Sequence, residues 1–126
     1  MSKQQISTDK AHPPIGPYSQ GVRWDRLIFT ASVPTNNPQF GPAPEGDVKA
    51  AARNALENLK AILEAAGSSF DKVLNTTIYL TDFGDFPKLN EVYGRYVGDN
   101  PPARATIQIA GLPMGARVEI AVVAHV

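Results

Sequence analysis

NPPARATIQIAGLPMGARVEIAVVAHV, residues 100–126, is the stretch of sequence that decides the fold. Apolar and polar residues alternate in two runs separated by a Gly- and Pro-containing segment, a pattern that predicts two strands joined by a short loop. We therefore expect a closing hairpin. Arg104 stands at the start of its first strand and Glu119 lies within its second strand, and most of their neighbours are apolar or small.

The segments before this stretch predict three further strands and two helices. QGVRWDRLIFTASV predicts two short strands around a turn at Asp25, and DKVLNTTIYLT predicts a third strand. DVKAAARNALENLKAILEAAG has the spacing of an amphipathic helix, with Asp47 as its N-cap and Gly67 as its stop. Asp85 is predicted to cap a second helix, whose inner face carries Leu89, Val92, Tyr93 and Tyr96. The order β-β-α-β-α-β-β predicts an α+β sandwich with one sheet and both helices on one face.

The second face of that sheet is predicted to be an interface. Alternation in the last strand places Glu119, Ala121 and Val123 on one side, and two of these three residues do not suit a solvated surface. Copies of the same chain around a symmetry axis would cover this face most simply. We expect both Arg104 and Glu119 to project into that interface.

Length, charge and composition narrow the class of protein. The 126 residues fit a single domain, 1–126, in which the proline-rich residues 1–14 form an extended N-terminal arm. Twelve basic and 12 acidic residues give a net charge of zero, which argues against nucleic acid or a membrane surface as a partner. There is no cysteine and no apolar run of membrane-spanning or secretory length, so we expect a cytoplasmic protein.

Arg104 and Glu119 admit two interpretations. They could form an ion pair in the interface, or they could be two charges at strand ends that reach water. Alternatively they could form a small anion site, because the planar guanidinium holds a carboxylate through two parallel hydrogen bonds. A glutamate nearby would then accept a proton from water and orient it. Spacing does not decide between them.

Other motifs are weaker candidates. GPYSQG lacks the Gly-Lys-Ser/Thr ending of a phosphate loop, and we interpret it as a turn leading into a strand. Neither His12 nor His125 has a second potential metal ligand at a spacing typical of a zinc site, so no metal site is predicted. No serine has the context of a catalytic triad.

Five segments together resemble one known family. They are IGPYSQGV, ARNALENLKAILEAAG, KVLNTTIYLTDFGDF, PPARATIQIAGLP and VEIAVVAHV. In this order they resemble the Rid family of reactive intermediate deaminases, also called the YjgF family and formerly labelled a group of translation-inhibiting endoribonucleases. The resemblance runs from about Ile15 to the C-terminus.

The resemblance implies a fold, an assembly and an activity. The fold is chorismate-mutase-like α+β, and the assembly is a homotrimer whose sheets form a central barrel with the helices outside. Active sites lie in the clefts between subunits. Members hydrolyse reactive enamines and imines, such as 2-aminoacrylate and its 2-imino tautomer, to a 2-keto acid and ammonia. No cofactor is needed, so the expected partners are a small carboxylate-bearing imine and two further copies of the chain.

Carried over by position, the resemblance also implies the site residues. Arg104 grips the substrate carboxylate, and Glu119 orients the attacking water. Tyr18 lines the pocket, Asn90 contributes from the second helix, and Phe86 is the aromatic residue just before that helix.

Two positions depart from the family pattern. Thr106 stands where the family often has cysteine, and its backbone carbonyl can still accept a hydrogen bond from water. The family usually has Ser-Gly-Gln after the second strand, whereas FTASVP here is one residue shorter. Either Ser32 takes the place of the family serine, or Ala31 does and the hydroxyl is absent.

Two rival functions accompany the deaminase. An endoribonuclease predicts a basic surface and a histidine pair, and neither is evident in the sequence. A non-catalytic trimer that binds small carboxylates or keto acids would use Arg104 equally well. Glu119 separates these functions, because a carboxylate receptor gains nothing from a second negative charge near its ligand.

Overall fold

The computed structural model of the chain describes residues 2–33 and 35–126, and within them it has the predicted elements in the predicted order. Three short strands were not predicted: β1, β4 and β5. The strands are β1 Gln4–Ile6, β2 Gly21–Trp24, β3 Leu27–Thr30, β4 Asn36–Asn37, β5 Gly41–Pro42, β6 Val73–Leu80, β7 Ala103–Gln108 and β8 Val118–His125. The helices are α1 Val48–Ala65 and α2 Phe86–Val97, and no helix in the described part is long and apolar enough to cross a membrane.

The main sheet is mixed, in the order β1-β2-β3-β8-β6-β7. β6 and β7 are parallel, and the other neighbours are antiparallel. Because β6 lies between β7 and β8, the predicted closing hairpin is wrong. The connection instead passes the end of β6, where Ile109 N donates to Leu80 O and Thr81 N donates to Arg117 O. Alternation within a strand does not determine which strand lies beside it.

Both helices pack on one face of this sheet, as predicted. The Oδ1 atom of Asp47 accepts a hydrogen bond from Ala50 N at 3.0 Å, which confirms the N-cap of α1. Gly67, just past the end of α1, has φ of +80°, a conformation that suits glycine. The core between the layers consists of fully buried apolar side chains, among them Ile28, Leu56, Leu59, Ile62, Leu63, Ile78, Leu80, Leu89 and Ile120.

The other face of the sheet carries apolar residues that remain exposed within a single chain. Phe29 of β3 pairs with Val123 of β8, and Ile107 of β7 pairs with Tyr79 of β6. Phe29 is 40% exposed and Ile107 is 43% exposed. Exposed apolar side chains on one face of a sheet are typical of a protein–protein contact surface.

The N-terminal residues are fixed to the domain by buried amides. Gln4–Ile6 pair with β2 as β1, where the sequence predicted only an extended arm over residues 1–14. Gln20 accepts a hydrogen bond from Thr8 N at 2.7 Å and donates one to His12 O at 2.9 Å. Asn58 Oδ1, fully buried in α1, accepts from His12 N at 3.1 Å. These contacts hold both ends of the segment that carries Tyr18.

Candidate functional site

Arg104 lies on β7 and its side chain is held by α2. Its Nη1 donates to Asn90 Oδ1 at 2.8 Å. Its Cζ lies 5.4 Å from the ring centre of Phe86 and 5.0 Å from that of Tyr93. A guanidinium near two aromatic rings at these distances is attracted by their faces. Phe86 and Asn90, predicted to contact substrate, therefore contact Arg104.

Glu119 lies on β8 at the base of a separate cleft. It is only 7% exposed, and its Oε1 accepts a hydrogen bond from Ser32 Oγ at 2.7 Å. The cleft has a volume of about 450 Å³ and its polar side chains are those of Tyr18, Ser32 and Glu119. Its remaining wall is apolar or glycine: Ile15, Gly16, Pro17, Ala31, Pro113 and Met114. Ser32, rather than Ala31, thus supplies the hydroxyl beside the glutamate.

Arg104 and Glu119 project from opposite faces of the sheet, so the prediction of a common face is wrong. Arg104 pairs with Thr76 of β6, whose side chain is buried under α2 against Tyr93. Glu119 pairs with Tyr79 of β6, three residues further along. Successive side chains alternate between faces, and directly paired residues share one, so this register puts Arg104 on the helix face and Glu119 on the other. The face of β8 that carries Glu119 was predicted correctly, whereas β7 turns Arg104 toward the helices, because the register between strands was not available from the pattern of either strand.

Thr106 lies on the helix face with Arg104. It pairs with Ile78, a core residue of β6. Its hydroxyl oxygen is buried and has no hydrogen-bond partner among the described residues. Because buried hydroxyl groups nearly always have a partner, this one is available to water or ligand.

Tyr18 stands at the mouth of the Glu119 cleft. Its hydroxyl accepts a hydrogen bond from Ile15 N at 3.1 Å, and its own N donates to Gly16 O at 2.9 Å. These two bonds close the IGPY segment into a compact turn. The ring is 42% exposed, as expected for a residue that lines an open cleft.

Two features of the site were missed by sequence reasoning. Tyr93 was predicted to be core, which its 5% exposure confirms, but its contact with Arg104 was not foreseen. Asp85 was predicted to cap α2, yet its side chain makes no capping bond and instead binds Arg117 at 2.8 Å. This ion pair joins the start of α2 to the residue before β8. The spacing of residues 86, 90 and 93 places them on one side of α2, and this spacing was the signal in the sequence for the contact between Tyr93 and Arg104.

A larger cleft of about 800 Å³ lies between α1 and α2 and contains none of the predicted site residues. Several of its charged groups already have partners: Lys49 binds Glu91 at 2.6 Å, and Asp47 caps α1. It offers no arrangement comparable to the hydrogen-bonded Ser32–Glu119 pair.

The sequence model of the family described as Endoribonuclease L-PSP matches residues 8–126. The chain belongs to this family, also called the Rid or YjgF family. The human 2-iminobutanoate/2-iminopropanoate deaminase is 45% identical over 124 residues, covering 98% of this chain and 90% of that protein. A RutC family protein of Pyrococcus abyssi is 42% identical over 125 residues, covering 99% and 98%. The crystal structure of RidA from an Antarctic Psychrobacter is 40% identical, with a TM-score of 0.91 and coverage of 98% and 99%. The α+β fold predicted from the sequence is therefore that of the Rid family.

Proposed function

We propose that this protein hydrolyses 2-imino acids and their enamine tautomers to 2-keto acids and ammonia, at sites formed between copies of the chain. The observation that carries the proposal is the separation of two complementary half-sites on opposite faces of one sheet. Arg104 and Thr106 form one half, and Tyr18, Ser32 and Glu119 form the other. A substrate of a few atoms cannot contact both halves of one chain through the sheet.

Two neighbouring copies can bring the halves together. The face that carries Glu119 also carries the exposed Phe29 and Ile107, and this apolar surface is the proposed contact. We propose a closed homotrimer, as the family resemblance implies. Each site lies between the edge strand β7 of one copy, which carries Arg104, and the Glu119 cleft of the next copy. The proposed trimer is cytoplasmic and binds neither nucleic acid nor a membrane.

Arg104 binds the substrate carboxylate in this proposal. Asn90 occupies one guanidinium nitrogen, and the remaining N–H groups are left to form two parallel bonds to a carboxylate. Holding the carboxylate fixes the adjacent imine carbon relative to the other half-site. Such orientation lowers the barrier by making the reaction effectively intramolecular.

Glu119 orients and deprotonates the attacking water. The water oxygen forms a bond to the imine carbon, and the C=N π electrons move to nitrogen, which takes up a proton. The amino group of the resulting carbinolamine takes up a further proton and leaves as ammonia, while the hydroxyl group loses its proton and the C=O bond forms. Glu119 can carry these protons, while the Ser32 hydroxyl fixes the carboxylate in place. This chemistry requires no cofactor.

An imine-lifetime assay tests the function. An amino-acid oxidase generates imines from several amino acids in situ, and semicarbazide traps whatever imine survives. We expect catalytic amounts of the protein to shorten the imine lifetime and reduce the trapped product for at least one amino acid. If the lifetime is unchanged while pyruvate still binds, the alternative function of a carboxylate-binding protein is the correct one. A cleaved RNA substrate under the same conditions would favour the endoribonuclease.

Replacing Ser32 with Ala should lower turnover, because Glu119 loses the hydroxyl that holds its Oε1. Replacing Ala31 with Ser should have little effect, since the contact of Ala31 with Gln20 is through its backbone N. The loss of one hydrogen bond to a charged carboxylate, worth at least about 1.5 kcal/mol, predicts a decrease in kcat of roughly tenfold. The imine assay measures both variants side by side. The reverse order of effects would show that Ala31 takes the family serine position.

A further inference from the structure

We propose that Tyr93, itself anchored by Thr76, is a positioning residue that aims the guanidinium of Arg104. The inference rests on the proposed function for the role of Arg104 but not for the geometry. Neither residue was among the predicted site residues.

Arg104 meets a stripe of α2 rather than a single side chain. Phe86, Asn90 and Tyr93 are spaced at i, i+4 and i+7, which places them on one side of the helix. Asn90 binds one guanidinium nitrogen, and the two rings lie at 5.4 and 5.0 Å from Cζ. The hydrogen bond to Asn90 fixes one nitrogen of the guanidinium, and the two rings restrict the orientations that its plane can take.

Tyr93 is the most firmly held member of this stripe. Its hydroxyl donates to Thr76 Oγ1 at 2.9 Å, and both residues are almost fully buried. Burial raises the pKa of the Tyr93 phenol, so the hydroxyl stays protonated at neutral pH. Thr76 is also the residue of β6 that pairs with Arg104. Thr76, which lies beside Arg104 in the sheet, therefore anchors the Tyr93 ring against which the arginine side chain lies.

This arrangement answers a physical need. A free arginine side chain loses up to about 2 kcal/mol of rotamer entropy when its fork is fixed on a ligand. Contacts that order the side chain before binding remove part of that cost. Arg104 is only half-buried and no carboxylate pairs with it in the described residues, so these neutral contacts provide its orientation.

The test compares Tyr93 with Tyr96 on the same helix. Tyr96 donates to Glu57 and packs on Phe70, with no contact to Arg104 described. We expect Tyr93→Leu to weaken pyruvate binding about tenfold, within the range of a desolvated cation–π contact. Tyr93→Phe and Thr76→Val, which keep the ring but free its anchor, should weaken it about threefold. Tyr96→Leu and Tyr96→Phe should leave the Kd unchanged.

A second readout is independent of any ligand or activity. In protein labelled with ¹⁵N-arginine, the Arg104 Nε–H signal is identified by its loss in Arg104→Lys. Its hydrogen-exchange rate should rise in the Tyr93 and Thr76 variants and stay at the parent rate in the Tyr96 variants. An unchanged rate in Tyr93→Phe and Thr76→Val, or an equal rise with Tyr96, overturns the positioning role even if Tyr93→Leu does not fold. If the exchange rates behave as expected while the parent protein hydrolyses no imine, only the proposed function fails.

Discussion

We expect Arg104→Ala to abolish imine hydrolysis and, with it, the binding of small carboxylates such as pyruvate. Both losses would follow from one cause, because in the proposed site the guanidinium that binds the carboxylate also fixes the reacting carbon. Isothermal titration with pyruvate and the imine-lifetime assay measure the two effects. Arg104→Lys should restore little of either, since a point charge cannot form two parallel bonds in a fixed plane.

The matched control for this variant is Arg95→Ala. Arg95 lies on the exposed side of α2 and contacts Glu91, so its loss removes the same charge away from the site. Both variants should remain folded oligomers, as sedimentation and circular dichroism would show. If Arg104→Ala retained full hydrolysis, the carboxylate clamp would be wrong.

We expect Glu119→Gln to slow hydrolysis by roughly a hundredfold or more, because a general base of this kind contributes about 10²–10⁴-fold. Pyruvate binding should persist or tighten slightly, since a negative charge near the bound carboxylate is removed. The neutral amide retains the shape of the side chain and can still accept a hydrogen bond from Ser32. Steady-state kinetics should therefore show a fall in kcat with little change in KM.

Glu57→Gln is the control for this substitution. Glu57 accepts a hydrogen bond from Tyr96 on the helix side and takes no part in the proposed site. Its replacement should leave kcat unchanged. Full hydrolysis by Glu119→Gln would show that another group orients the water, and loss of pyruvate binding would show that Glu119 serves the oligomer instead.

Local patterns were sufficient for much of the fold. The 3.6-residue period and the Asp47 cap predicted α1, and alternation predicted β6 and β8. The position of β6 between β7 and β8 could not be predicted this way. It depends on the parallel pairing of β7 with β6, a contact between segments that α2 separates in the chain.

The same limitation affected the site. Arg104 and Glu119 were singled out as charges in apolar strands, and each is near polar groups that suit its proposed role. Their common face was predicted from the alternation within the two strands, and it is wrong because β7 turns Arg104 toward the helices. Likewise, the sequence indicated that Tyr93 is buried, but its contact with Arg104 depends on how α2 crosses β7. Side-chain directions are local, whereas the meeting of two elements is set by packing.

Mixed oligomers of Arg104→Ala and Glu119→Gln test most directly whether the site is built from two copies. Each variant alone should be nearly inactive in the imine assay. The two are co-expressed with different affinity tags, and oligomers carrying both tags are isolated. In a ring formed by random mixing, about a quarter of the interfaces would join an intact Arg104 to an intact Glu119 of the neighbour. The account predicts recovery of about a quarter of the parent activity, or somewhat more after selection for both tags. Doubly tagged oligomers no more active than either variant alone would contradict it.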